Sequence, residues 1–289
     1  MNQPLLKRAR RRFRRAMARK TKESVQTWRA LTQGVRPGLH AFVVGAQRSG
    51  TNMVMNILDR SYDTTVYHER DPRAFDEYLM RSPETIDNLI VRARAPVFVI
   101  KALCEMDRLP WLMERFAPAR VIWVVRHYDD AVNSSLRSFS KVPDQVSALV
   151  DDPDSHVWMG KGMSRETHAR LRELHYPGMN DASRVALFWY TRNRLLFDTG
   201  IAGDPRVMLV SYERLVTNPH TELAALFAHL GLDYGDGLAA NVTPRSVRKA
   251  PAPDIDPEVR AACDALLPRL QWTLGVAHAS AIREVTAAS

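Results

Sequence analysis

The segment Phe42-Val43-Val44-Gly45-Ala46-Gln47-Arg48-Ser49-Gly50-Thr51-Asn52-Met53 carries the clearest chemistry in the chain. An apolar run leads into a loop bounded by Gly45 and Gly50, and a helical pattern follows. Such a loop aims several backbone N–H groups and a helix N-terminus at one spot, which suits an anion. Gly50 lets the backbone come close, while Ser49 and Thr51 add hydroxyl donors. The spacing is that of a P-loop, yet Thr51 stands where the P-loop Lys belongs and the cation has moved inside the loop as Arg48. That Lys and a Mg²⁺-binding hydroxyl serve nucleoside triphosphates, so ordinary ATP or GTP hydrolysis is disfavoured. A plain strand–helix turn would not explain the polar and glycine residues wedged between two apolar elements.

A second anion site is expected where Val121-Ile122-Trp123-Val124-Val125 runs into Arg126-His127-Tyr128-Asp129-Asp130-Ala131-Val132-Asn133-Ser134. Arg126 at a strand end offers a planar fork, and Ser134, beyond the start of the next helix, offers a further donor to the same phosphate. Asp129 or Asp130 is favoured near that helix N-terminus. The alternative is that Arg126 pairs with a neighbouring carboxylate. Lys101 closes another apolar run and either reaches a reacting group or snorkels into water.

These residues resemble the sulfotransferase family. Arg48-Ser49-Gly50-Thr51 is similar to its 5′-phosphosulfate loop, and Arg126 with Ser134, with Asp130 between, is similar to its 3′-phosphate site. Val207–Leu215 resembles its late strand ending in Tyr-Glu-Asp, with Arg214 replacing the Asp and Asn218-Pro219 following. The resemblance spans about residues 40–231. It implies 3′-phosphoadenosine 5′-phosphosulfate (PAPS) as donor, 3′-phosphoadenosine 5′-phosphate (PAP) as product, and no metal. By the same resemblance, Arg48, Ser49, Gly50, Thr51, Asn52, Met53, Arg126 and Ser134 bind the donor and Tyr212 touches its adenine. Arg248-Lys249 answer to a late basic loop, with Ala250 in place of its Gly. Arg48 and Lys101 are placed beside the transferring group. Members acting on phenols and steroids carry Lys-Thr-His where this chain reads Lys101-Ala102-Leu103-Cys104, so their His base is missing. That points to the carbohydrate-type and bacterial branch, which often uses a Glu after the second strand. Glu69 stands there as the expected base, with His68 as the other candidate and Arg70 as a cation able to oppose a raised pKa. A sugar or glycolipid hydroxyl, or less readily an amine, is the expected acceptor.

The elements that must hold these residues alternate. Ala41–Gly45, Val97–Lys101, Val121–Val125 and Val207–Val210 read as buried strands, and Thr64–Tyr67 as a fifth. Helical patterns cover Thr51–Arg60, Arg73–Arg92, Leu109–Phe116, Asp129–Ser138, Arg184–Asp198 and His220–Leu230. This predicts an α/β, P-loop-like three-layer fold: a central parallel sheet flanked by helices, with a basic N-terminal helical extension. Residues 140–183 break the rhythm, apart from a short helix at Arg165–Leu174, and read as a lid or acceptor-recognition insertion, or else as a surface excursion. Trp189 and Asn193, four apart, read first as core.

The net charge of +9 belongs to the start of the chain: residues 1–22 hold ten of the 41 basic residues and no acid, leaving 31 basic against 32 acidic residues elsewhere. Residues 1–36 form an extension, ending at Arg36-Pro37-Gly38, and 37–289 the sulfotransferase domain. Leu6, Ala9, Phe13, Ala16, Met17, Val25, Trp28 and Leu31 recur at helical spacing, so residues 1–31 form either an arm on an anionic membrane surface or a solvated extension. Nucleic-acid binding is not expected, since the tail offers a single aromatic among its arginines. No apolar run has the roughly 20 residues needed to span a bilayer. With no secretory signal and only Cys104 and Cys263, the expected address is the cytoplasm, either free or peripheral on the inner face of the cell membrane. No metal-ligand spacing stands out among the nine histidines. The competing readings are a P-loop-type small-molecule kinase and a non-catalytic nucleotide-binding, membrane-associated protein.

Overall fold

The computed structural model describes residues 3–270, without the side chains of 3–12, 14 and 15. A long helix, α1 (Gln3–Thr32), is followed by β1 (Leu39–Val44), α2 (Thr51–Leu58) and β2 (Thr64–Tyr67). A two-strand hairpin, β3 (Phe75–Asp76) and β4 (Leu79–Met80), precedes α3 (Pro83–Arg92), β5 (Val97–Lys101), α4 (Leu109–Arg115), β6 (Ala119–Val125) and α5 (Tyr128–Leu136). Then come α6 (Val142–Asp151), α7 (Arg165–Leu174), α8 (Asp181–Asp198), β7 (Val207–Ser211), α9 (Tyr212–Thr217), α10 (Pro219–His229) and a last helix, α11 (257–270).

Five strands pair in the order β2-β5-β1-β6-β7, all parallel. Successive side chains go to opposite faces, and each face is covered. Phe42, Val44, Phe98, Ile100, Val121 and Trp123 meet the layer that includes α4, α5 and α8. Ala41, Val43, Val97, Val99, Ile122 and Val124 meet α2 and α10 through Val54, Leu58, Leu226 and Phe227. This is the expected P-loop-like three-layer arrangement. The connections from β1 and β6 run to opposite sides, so a crevice forms between the carboxyl ends of these neighbours.

One expected helix is shorter. Arg73–Arg92 divides into the β3–β4 hairpin and α3. Glu77 and Tyr78 both take positive φ, 44° and 71°, to make a tight turn without Gly or Asn. Ser82 then caps α3 by accepting the Thr85 N–H at 3.4 Å, and Pro83 occupies its first turn.

The insertion at 140–183 is built into the core. Val146, Leu149, Met159, Leu171 and Leu174 are buried in the larger cluster against α8. Arg192 of α8 is fully buried and joins this insertion to the end of β5: Nη2 donates to the Leu103 carbonyl at 2.6 Å, and Nη1 to those of Trp158 and Met159 at 3.3 and 3.4 Å. Burial pushes its guanidinium down to about 10. Arg192→Met leaves these carbonyls without a donor and is expected to cost about 3 kcal/mol. Urea denaturation measures that loss, and faster proteolysis within 152–163 locates it.

Candidate active site

The residues singled out in the sequence converge at the carboxyl ends of the strands. In the loop after β1, Gly45 and Gly50 sit at φ 144° and 103°. A Cβ on Gly45 would lie 2.3 Å from the Val124 carbonyl oxygen, and one on Gly50 2.3 Å from the Tyr212 ring. The loop therefore needs both glycines to nest against β6 and α9. Helix α2 has no side-chain cap, which leaves its first turn open toward the loop. Ser49 is buried, and its Oγ has no partner among the described residues. The Met53 N–H donates to the Gly50 carbonyl at 2.8 Å, and its half-buried side chain packs against the core on the α2 face of the sheet.

Arg126 leaves the end of β6 with 8 % of its surface exposed. Its Nη1 donates to the Arg48 carbonyl at 3.3 Å and Nη2 to the Ser246 carbonyl at 2.7 Å. Its Cζ lies 4.6 Å from the centre of the Tyr212 ring, and Asp130 stands 3.8 Å away. Arg126 is thus shared among several acceptors, while its buried Nε has no partner among the described residues. Arg48, itself at φ 70°, donates from Nε to Ser134 Oγ at 2.9 Å, so one residue spans both expected anion cradles. Orphaned donors at Ser49 and Arg126, beside an uncapped helix start, are the chemistry a phosphorylated nucleotide requires.

The surrounding supports were only partly legible. Trp189 donates from Nε1 to the Arg126 carbonyl at 2.9 Å and so fixes the strand end from the core. Glu213 accepts the His127 N–H at 3.0 Å, joining the ends of β6 and β7. Arg214, which departs from the family's Asp, pairs with buried Glu222 at 2.7 Å. Tyr212 hydrogen-bonds Ser246 and is buried between the Gly50 loop and Arg126. The Arg248 N–H donates to Asp130 at 2.9 Å, which brings the late basic loop onto the site, with the Arg248 and Lys249 side chains exposed. Beside it lies a cavity of about 350 Å³ lined by His127, Asp130, Glu213, Val247 and Arg248.

The other half of the cleft lies past β2 and β5. Lys101 is 1 % exposed, ion-paired with Glu69, and donates to Asn52 Oδ1 at 2.9 Å. It is not a snorkelling lysine. Burial lowers its pKa, opposed by the Glu69 charge. Arg70 points away, its guanidinium 5.9 Å from the centre of the Tyr78 ring, so Lys101 is the cation beside Glu69. Burial also lowers the pKa of His68 and keeps its ring neutral near pH 7. Cys104 is buried and its thiol is pushed up to about 12 by burial, which makes it no proton acceptor.

Glu105 was not anticipated; four residues past Lys101, nothing in its local pattern marks it. It is buried, with Oε1 accepting the Met80 N–H at 2.7 Å and Oε2 without a partner among the described residues. Burial pushes its carboxyl up to about 7.

A family model described as Sulfotransferase family matches residues 66–236. The chain belongs to the sulfotransferase family. This match begins inside β2, so the loop before α2 rests on its own motif and geometry. Solved structures with similarity to the chain include the sulfotransferase domain from the curacin biosynthetic pathway, 16% identical over 80% of this chain and 98% of that one, TM-score 0.47. The sulfotransferase from Alicyclobacillus acidocaldarius is 15% identical over 84% of this chain and 96% of that one, TM-score 0.47. Mouse sulfotransferase SULT7A1, solved with PAP, is 15% identical over 86% and 90%, TM-score 0.46. No curated protein matches the chain. Among the described residues no cluster of His, Cys, Asp and Glu is arranged to hold a metal.

The Glu105 environment makes stability depend on pH. The unfolded chain releases this proton near pH 4.5 and the folded one near 7. Between these values the folded state binds more protons, so stability is lost as pH rises through the window. Glu105→Gln is expected to leave thermal stability near pH 4 unchanged and to raise it at pH 8, by about 3 kcal/mol at full effect. Melting curves across that range check it.

Proposed function

We propose that this sulfotransferase moves a sulfuryl group in line from PAPS to a hydroxyl of a carbohydrate or glycolipid, without a metal. The observation carrying the donor reading is the Arg48 bridge, which sets the loop after β1 and the end of β6 against each other as one anion-binding cleft. Ser49, Gly50, Thr51 and Asn52 would hold the phosphosulfate end. Arg126, Ser134 and the backbone of the Arg248-Lys249 loop would hold the 3′-phosphate, with Tyr212 bordering the adenosine. The donor supplies an activated sulfuryl group, so the protein must orient it, offset charge on the departing phosphate and accept the acceptor's proton.

Arg48 and Lys101 are the cations placed for the second task. Glu69 is placed for the third. It contacts Lys101, faces the donor loop through Asn52, and has no competitor in Cys104. Neutral His68, next in the chain, is the alternative base. The proposed address is the cytoplasm, with the two buried thiols reduced.

Glu69→Gln removes the proton acceptor and keeps the shape, so turnover is expected to fall at least about 100-fold with PAP affinity unchanged. Retained turnover reassigns the base, and His68→Ala then tests the neighbour. Turnover is read by labelled-sulfate transfer over glycan and lipid extracts, which also identifies the acceptor. Calorimetry is expected to show PAP binding more tightly than ATP with Mg²⁺, and Arg126→Ala to weaken PAP at least about tenfold through loss of a charge-assisted contact. The reverse order of affinities would favour a small-molecule kinase.

A further inference from the structure

Helix α1 meets the domain through polar residues. Lys22 Nζ donates to the Asp59 carbonyl at 2.7 Å. Gln26 Nε2 donates to the carbonyls of Tyr62 and Thr64 at 3.0 and 2.9 Å, and Arg29 pairs with Asp63 at 2.6 Å. Lys22, Gln26 and Ala30, four residues apart, are the buried row. The large apolar side chains lie elsewhere: Phe13, Met17, Trp28 and Leu31 are 68, 50, 58 and 78 % exposed. At 100° per residue these four fall within about 60° of one another, on the side of the helix opposite the buried row. The domain has docked on the polar row and left the apolar stripe facing outward.

The order of contacts also fixes direction. Arg29 meets Asp63, before β2. Arg94, just before the parallel neighbour β5, donates to Thr27 Oγ1, so the last turns of α1 lie at the amino ends of these strands, while the Arg19 charge adds to the lowering of the Asp71 carboxyl, past the end of β2. Helix α1 therefore runs antiparallel to the edge strand β2. Its first half, with the arginine cluster of the sequence, continues past the end of the sheet where His68 and Glu69 stand.

We propose that α1 lies on an anionic bilayer through Phe13, Met17, Trp28 and Leu31, so that the sheet stands with its β2 edge toward the lipid and takes a membrane-borne hydroxyl as acceptor. The charge complementarity is direct, since residues 1–22 hold ten cations and no acid, and nine of them remain for anionic headgroups besides Lys22, which is buried against Asp59. The sheet order then places Glu69 and Lys101, past β2 and β5, on the lipid side, and Arg126 and Tyr212, at β6 and β7, on the side away from it. Donor and acceptor would approach from opposite sides. The proposal rests on the function above only for which half of the cleft takes the acceptor.

The test uses the full chain with vesicles of phosphatidylcholine alone and of phosphatidylcholine mixed with phosphatidylglycerol. Sedimentation with the anionic vesicles is expected, at least about tenfold above the neutral ones and released by salt. Phe13→Asp and Trp28→Asp, both at exposed positions, are each expected to weaken it about tenfold while PAP affinity and melting temperature hold. Because Cys104 and Cys263 are buried, a thiol-reactive fluorophore goes to Asp76→Cys, in the hairpin that follows β2, or to Ala202→Cys, before β7. Brominated lipid is expected to quench the first label more than the second. Equal or no binding to the two vesicle types, stronger quenching at position 202, or binding to a single-stranded oligonucleotide with vesicles ignored would each overturn the proposal. Loss of PAP binding with vesicle binding and quenching intact would instead remove the sulfotransfer reading and leave the membrane arm standing.

Discussion

A guanidinium held almost out of water at the end of β6 is the constraint on which this site turns. Taking such a charge from solvent is costly unless every donor finds an acceptor, and no single carboxylate here neutralises Arg126 at short range. The solution is distributed: two backbone carbonyls, an aromatic face and a more distant Asp130 share the charge. Each partner belongs to a different segment. The residue thereby organises the loop after β1, the start of α9 and the late basic loop, and Trp189 anchors its backbone from the core. An anion arriving at its remaining donor would complete a coordination that the protein leaves unfinished.

The other half of the cleft answers a different electrostatic problem. Lys101 is buried at a strand end, where a lone ammonium would be driven toward neutrality. The Glu69 carboxylate opposes that shift, and Asn52 of α2 accepts a hydrogen bond from the ammonium. The same ion pair binds β2, β5 and α2 into one corner. Behind it, Arg192 fastens the insertion to the segment after β5, so this side of the cleft has a packed wall rather than a loose cover.

Strands and motif residues were legible because each is local. A run such as Val121–Val125 must be buried on both faces, and a glycine-bounded loop before a helix has one economical use. All five strands and the order of the two anion-binding segments follow from such patterns. What stayed hidden depends on partners distant in sequence. Glu213, Trp189 and Glu105 are ordinary residues whose roles come from the groups folding brings to them. The β3–β4 turn was missed because Glu77-Tyr78 lacks the residues that usually mark a tight reversal. Helix α1 was legible as an amphipathic helix, but periodicity does not say which face meets the domain.

The bond from Gln26 to the Thr64 carbonyl has a consequence for handling the protein. Thr64 begins a strand with a neighbour on one side only, and such a rim is a template for another chain's backbone. The N-terminal helix shields that rim. A chain shortened to remove the helix would bare it, with Tyr62 alongside, and gain a route to self-association through strand addition. Cutting the helix away would thus alter solubility together with any affinity for lipid, whereas single outward-facing substitutions alter only the latter.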